Sequence, residues 1–107
     1  MNQELKTQLD TLIAENNVVL FMKGTTDFPM CGFSAATVGI LEELDVPFQD
    51  INVMVDENIR QGIKEYSNWP TIPQVYINGE FIGGSDILIK MYEDGNLQQT
   101  VEVALAS

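Results

Sequence analysis

The segment Val18-Val19-Leu20-Phe21-Met22 is the longest unbroken apolar run in the chain. Its length of five residues and its β-branched and aromatic side chains predict a β-strand, because a helix needs a longer periodic run. A membrane-spanning helix takes about 20 apolar residues, so this run cannot cross a bilayer. We therefore expect a strand that is buried in the core of the protein.

Helical periodicity lies on both sides of this strand. Before it, leucine and isoleucine recur at helical spacing within residues 2–16. After it, residues 23–30 have no periodicity and contain Gly and Pro, which indicates a loop that ends at Cys31. A second helix is predicted after Cys31 and is expected to stop near Asp45 and Pro47. Its predicted buried face consists of Phe33, Ala36, Thr37, Ile40, Leu41 and Leu44.

A second strand is predicted over residues 48–52, which completes a βαβ unit. A third helix is expected to begin near Asp56, with Arg60 and Lys64 on one stripe of its surface. The two prolines of Trp69-Pro70-Thr71-Ile72-Pro73 end that helix.

Residues 74–77 and 80–82 are predicted to form a hairpin around Asn78-Gly79, which is typical of a type I′ turn. Ser85 and Asp86 are expected to act as an N-cap pair for a helix that ends at Gly95. A last helix is predicted from about residue 97 to 104. The order α, βαβ, α, ββ, α, α predicts one α/β domain over residues 1–107, with a four-stranded mixed sheet flanked by helices.

The composition excludes several classes of function. Sixteen Asp and Glu against five Lys and Arg give a net charge of -11, which repels phosphate backbones and anionic lipid. We therefore expect no nucleic-acid and no membrane partner. Without histidine the chain lacks the usual neutral-pH base and the commonest zinc ligand. A single cysteine cannot form an intramolecular disulfide, so we expect a reducing compartment, either the cytoplasm or an organelle stroma.

Cys31 is the candidate reactive residue. At the start of a helix its sulfur meets free backbone N–H groups and the positive end of the helix dipole, both of which favour the thiolate. A lone cysteine is more often a small buried apolar residue, and its position is what argues for reactivity here. In Cys31-Gly32-Phe33-Ser34 the place of a resolving cysteine is taken by Ser34, so dithiol exchange within the chain is impossible.

One thiolate leaves two kinds of chemistry open. Disulfide exchange needs an external thiol, and an iron–sulfur cluster needs four ligands, of which one chain offers one cysteine. Both require a small thiol partner.

The segments Lys23-Gly24, Cys31-Gly32-Phe33-Ser34, Trp69 to Gln74 and Gly83-Gly84-Ser85-Asp86 together resemble the monothiol, CGFS-type glutaredoxins. The resemblance implies a thioredoxin fold, bound glutathione, and a homodimer that shares one [2Fe–2S] cluster between two cysteines and two glutathione sulfurs. It also implies cluster transfer to apo iron–sulfur acceptor proteins, a part in iron homeostasis, and pairing with BolA-like proteins.

Two other functions stay open at this stage. One is glutathione-dependent reduction of mixed disulfides, and the other is a regulatory adaptor that senses iron or oxidants through the cluster.

The resemblance also implies roles for particular residues, with Cys31 as catalytic thiol and metal ligand. Lys23 and Arg60 would hold the glycyl carboxylate of glutathione, with Lys64 as a further cation. The alternative for these cations is a solvated surface. Ile72, before a cis Pro73, would pair with the cysteinyl unit through its backbone. Ser85 and Asp86 would receive the γ-glutamyl end at a helix start, where simple N-capping is the alternative.

Overall fold

The structure, a computed structural model, describes residues 1–106. Its elements in chain order are α1 Gln3–Ala14, β1 Val18–Met22, α2 Gly32–Glu43, β2 Gln49–Asn52, a 3₁₀ turn Val53–Val55, α3 Glu57–Ser67, β3 Gln74–Ile77, β4 Glu80–Gly83, α4 Ser85–Asp94 and α5 Asn96–Ala106. Within these residues, no helix combines the length and the apolar character that crossing a bilayer requires.

The four strands form one sheet in the order β2-β1-β3-β4. Strands β1 and β2 are parallel, with Leu20 opposite Asp50, and they are joined through α2 as a βαβ unit. Strands β1 and β3 are antiparallel, and β3 continues into β4 through a hairpin. The predicted four-stranded mixed sheet flanked by helices is confirmed.

The side chains of β1 alternate between two apolar cores because successive residues of a strand point to opposite faces. Val18, Leu20 and Met22 pack in one core, which helices α2, α4 and α5 cover. Val19 and Phe21 pack in the other core, against α1 and α3. All five residues of β1 are buried, as the apolar run predicted. The sheet therefore lies between two helical layers, and the loops at the ends of its strands carry the site described below.

Several local predictions are confirmed. Asn78 and Gly79 both have positive φ, at 54° and 85°, as a type I′ turn requires. Helix α4 ends at Gly95 in the left-handed conformation. The strand predicted over residues 48–52 begins one residue later, at Gln49, and the 3₁₀ turn after it was not predicted.

Two predictions about helix faces and caps are wrong. Phe33, predicted to be on the buried face of α2, is 61% exposed, and Ala36 is also exposed. The helical spacing of apolar residues shows that they share one face of α2. It does not distinguish a face that packs in the core from an exposed apolar surface. Ser85 and Asp86 do not cap α4: the extended Gly84 is the N-cap, without a side-chain hydrogen bond, and Ser85 is already inside the helix.

Candidate functional site

Cys31 is the N-cap of α2, with extended backbone angles (φ -155°, ψ 136°). The pKa of its thiol is lowered, first by the backbone N–H of Ser34 and then by the N–H of Phe33 and the charge of Lys23, while partial burial opposes the shift. These are the free donors of a helix start, so the predicted stabilisation of the thiolate is confirmed in direction. The residue is partly exposed, and its sulfur forms no disulfide.

Ser34 connects the start of α2 to the end of β1. Its side chain is fully buried, and its Oγ accepts a hydrogen bond from the backbone N–H of Lys23 at 3.1 Å. The Ser34 hydroxyl also contributes to lowering the pKa of Cys31. The residue at the place of a resolving cysteine therefore has a structural and an electrostatic role.

The loop between β1 and α2 is held by its own backbone and by β2. The Met30 N–H donates to the Lys23 carbonyl at 2.9 Å, which closes the base of the loop. From β2, Asn52 Oδ1 accepts from the Gly24 N–H at 3.0 Å, and Asp50 Oδ2 accepts from both the N–H and the hydroxyl of Thr26. The position of Cys31 is thereby fixed relative to the sheet.

A cavity of about 520 Å³ lies beside Cys31. Its lining residues are Lys23, Cys31, Phe33, Lys64, Pro70, Thr71, Ile72, Pro73, Ser85 and Asp86. The lining combines two cations, one carboxylate, a helix start and the irregular segment before β3. Such a lining suits an elongated ligand that carries both negative and positive charge.

Seven of the eight residues predicted for the site line this cavity. They come from the end of β1, the start of α2, α3, the segment before β3 and the start of α4. The peptide bond between Ile72 and Pro73 is cis, as the resemblance implied.

Arg60 is the predicted residue that the structure does not bring to the cavity lining. It lies one helical turn before Lys64 on α3, and its Nη1 is 3.5 Å from the carboxylate of Glu57. Its Nε is buried without a hydrogen-bond partner. A buried donor without a partner carries a free-energy cost, so this guanidinium retains capacity for another acceptor.

Sequence reasoning missed Phe33, Pro70 and Thr71 as lining residues. The apolar character and helical spacing of Phe33 predict a core position, whereas Pro70 and Thr71 predict only the end of a helix. Their position inside motifs that also hold Cys31 and Ile72 is the signal that could have found them. Trp69, by contrast, packs its ring on Phe81 at a centroid distance of 5.8 Å and is absent from the lining.

A second cavity, of about 460 Å³, lies between the starts of α1 and α3 and contains none of the predicted residues. In the part of the chain that the structure describes, no group of three or more His, Cys, Asp or Glu side chains is placed to hold a metal ion.

The chain matches the family model described as Glutaredoxin over residues 18–82. A monothiol glutaredoxin of Synechocystis sp. is 60% identical over 107 residues, which cover the whole of both chains. The chloroplastic monothiol glutaredoxin-S14 of Arabidopsis thaliana is 55% identical over 107 residues, which are all of this chain and 62% of that protein.

Solved structures agree with these sequence matches. The solution structure of reduced poplar apo GrxS14 matches with a TM-score of 0.85 at 55% identity, over 96% of this chain and 94% of that one. The crystal structure of a buckwheat glutaredoxin–glutathione complex matches with a TM-score of 0.84 at 23% identity, over 97% of this chain and 96% of that one. The buckwheat likeness shows the fold.

Proposed function

This chain belongs to the monothiol glutaredoxins, and from that membership we propose that it binds glutathione beside Cys31 and carries a [2Fe–2S] cluster between two copies of itself. The cluster is cargo, which the protein would pass to apo acceptor proteins during iron–sulfur protein maturation. The observation that carries this proposal is the single cysteine with a lowered pKa at the edge of a cavity that contains two lysines and an aspartate.

The count of ligands supports a shared cluster. A [2Fe–2S] cluster takes four ligands, usually thiolates, and each chain supplies one cysteine and no histidine. Glutathione would supply one further thiolate per chain, so two chains with two glutathiones complete the set.

The cavity residues fit the functional groups of glutathione. Lys23 and Lys64 line it and would attract the glycyl carboxylate, and the unpartnered Nε of Arg60 could join them after a change of side-chain rotamer. Asp86 would attract the ammonium group, while the backbone amides at the start of α4 would bind the neighbouring γ-glutamyl carboxylate.

The surface around Cys31 is suited to contact with a second copy. Phe28, Met30 and Phe33 are 76%, 65% and 61% exposed, and all three lie within three residues of Cys31. Burial of such side chains against a partner is favourable by about 25 cal/mol for each Å² removed from water. A Cβ placed on Gly32 would meet nothing within 4 Å outside its two chain neighbours, so the residue after Cys31 borders open space.

The lowered pKa of Cys31 favours a second candidate function, the reduction of protein–glutathione mixed disulfides. The Cys31 thiolate would attack the glutathione sulfur, and the protein thiolate would leave and take up a proton. A second glutathione thiolate would then release Cys31 and form glutathione disulfide. This route uses the same cavity but needs no second copy.

Anaerobic purification, or reconstitution with iron, sulfide and glutathione, tests the cluster proposal. We expect a coloured dimer with visible absorption from the unaltered chain, and a colourless monomer from Cys31→Ser. Ser67→Ala is the matched control, because it removes a hydroxyl on α3 that does not line the cavity. Rapid Cys31-dependent deglutathionylation together with no cluster uptake would instead establish the reductase.

Partners and location follow from the same proposal. Apo iron–sulfur proteins and BolA-like proteins are the partners that we propose from family membership, in a reducing compartment such as the cytoplasm or a plastid stroma. A pull-down that compares the unaltered chain with Cys31→Ser tests whether partner binding depends on the cluster, and equal capture by both would indicate a cluster-independent adaptor.

A further inference from the structure

Gln74 is a fully buried polar residue that does not line the cavity. It is the first residue of β3, directly after the cis Ile72–Pro73 bond, and its exposure is 0%. A buried primary amide is unfavourable unless its donors and acceptor are paired. The partners that it finds therefore indicate what it does.

The two donors of the Gln74 amide both bind the segment that precedes β3. Its Nε2 donates to the backbone carbonyl of Trp69 at 3.2 Å and to that of Thr71 at 3.2 Å. Its Oε1 accepts a hydrogen bond from the hydroxyl of Tyr76 at 3.4 Å. Because backbone carbonyls can only accept, the amide must point its nitrogen towards the segment and its oxygen towards Tyr76.

Besides the hydrogen bonds from Gln74, the segment is held by the Trp69 N–H, which donates to the Lys64 carbonyl at 3.1 Å, and by Ile72, which packs in an apolar core. Residues 69–73 lie between α3 and β3, and the two prolines at 70 and 73 have no N–H to donate. Four of its five residues, from Pro70 to Pro73, line the cavity beside Cys31. The amide of Gln74 thus binds the same segment that lines the cavity.

Tyr76, in turn, is a rigid anchor for the amide. It is 2% exposed, and its ring lies 5.7 Å from that of Phe21 and 5.4 Å from that of Phe81, measured between centroids. A ring packed in this way holds its hydroxyl at a fixed place within the core.

From these contacts we infer that Gln74 is a positioning residue for glutathione: it holds the backbone of Trp69 and Thr71 so that Thr71 and Ile72 present a preformed edge to the ligand. The inference rests on the proposed glutathione site. Gln74 itself does not touch the ligand, and its effect is to reduce the ordering that binding would otherwise require.

The first test is a titration of the full apo chain with glutathione, in which the NMR chemical shifts of backbone amides are recorded at each glutathione concentration. Gln74→Glu keeps the size of the side chain and an acceptor for Tyr76 but loses both donors to the segment. We expect its glutathione dissociation constant to rise about tenfold, which corresponds to the loss of one or two hydrogen bonds. Gln74→Met removes the polar group altogether at similar volume and should weaken binding to a similar extent.

Two further variants separate positioning from general stability. Tyr76→Phe keeps the ring but frees the Gln74 amide, and we expect about a threefold loss of affinity. Tyr66→Phe is the control, because its hydroxyl donates to Asp10 and has no contact with the segment. It should lower the melting temperature and leave the glutathione affinity unchanged. Faster amide hydrogen exchange at Thr71 and Ile72 should appear in the Gln74 variants and not in Tyr66→Phe.

The outcomes distinguish this inference from the proposal beneath it. Equal affinity for glutathione in the unaltered chain and the Gln74 variants would overturn the positioning role alone. An equal loss in Tyr66→Phe at matched stability would also overturn it. If the unaltered chain did not bind glutathione, the proposed function would fail first, and the positioning role would fail with it.

Discussion

The backbone N–H of Lys23 donates to the side chain of Ser34, which lies three residues after Cys31. Two of the residues whose groups lower the pKa of Cys31, Lys23 through its charge and Ser34 through its N–H and hydroxyl, are thus joined by one hydrogen bond of 3.1 Å. The serine at the place of a second cysteine therefore makes a specific hydrogen bond. A cysteine there would make this bond only weakly, because a thiol is a poor acceptor.

Ser34→Ala should destabilise the protein and raise the pKa of Cys31 part of the way towards its ordinary value. The Lys23 N–H would lose its acceptor inside the protein, at a cost of about 1–3 kcal/mol. The backbone N–H of Ser34, which is the largest influence on the thiol, would remain, so the pKa should stay below its ordinary value. Thermal unfolding and the pH profile of thiol alkylation measure both effects. An unchanged alkylation profile would contradict the role of the hydroxyl, and Ser67→Ala is the control.

The lowered pKa of Cys31 predicts a dependence of stability on pH. Between the folded pKa and the higher unfolded one, the unfolded chain binds a proton that the folded chain does not, so the free energy of unfolding rises with pH. This contribution is complete above the unfolded value and is lost as the pH falls through the folded value. Denaturant unfolding of the unaltered chain and Cys31→Ser across this window should show the difference between them growing with pH. A constant difference would show that folding does not lower the pKa of Cys31.

Gly24→Ala should unfold the loop before Cys31, whereas Gly79→Ala should be tolerated better. Both glycines have positive φ, at 88° and 85°, so both substitutions carry a backbone cost of about 1–2 kcal/mol. A Cβ on Gly24 would also lie 2.6 Å from the Met30 nitrogen, but one on Gly79 would meet nothing within 4 Å. The difference in stability between Gly24→Ala and Gly79→Ala therefore measures the cost of the close contact with Met30. Equal melting temperatures for the two variants would show that the loop adapts.

Lys23→Gln and Lys64→Gln should each weaken glutathione binding, and salt should weaken binding to the unaltered chain. Each lysine lines the cavity, and a charge-assisted hydrogen bond contributes about 1.5–3 kcal/mol, or roughly tenfold or more in affinity. Lys90→Gln is the matched control, since Lys90 is exposed on α4 and outside the lining. Calorimetric titration gives the constants. If Lys90→Gln had the same effect as the others, net charge alone would explain the binding.

Tyr66 should stabilise the protein up to alkaline pH. Its hydroxyl donates to Asp10, and partial burial together with this bond raises the pKa of Tyr66 to about 12. Because the folded pKa is raised, the stabilisation is complete below the ordinary tyrosine value near 10 and is lost as the pH rises through about 12. The free energies of unfolding of Tyr66→Phe and of the unaltered chain should converge in that pH range. Ultraviolet titration of phenolate formation provides an independent measure of the same pKa.

Much of the fold could be predicted because its signals are local. The burial of β1, the Asn78-Gly79 turn and the helix end at Gly95 each depend on a few neighbouring residues. The identity of Cys31 as a helix-start thiol was equally local. The Gly84 cap was missed because Ser85 and Asp86 carry the usual capping side chains, and only the backbone path out of β4 decides which residue precedes the first turn.

By itself, then, the sequence determined the elements, their order, the single thiol and the types of residue available to a ligand. Only the tertiary structure decided which of these residues meet: Ser34 with the Lys23 backbone, Thr26 with Asp50 across 24 positions, and the Gln74 amide with the segment beside the cavity. It also paired Arg60 with Glu57 and turned Phe33 outward. The physical reason is that propensity and periodicity act between near neighbours, whereas a cavity forms where packing brings together parts of the chain that are distant in sequence.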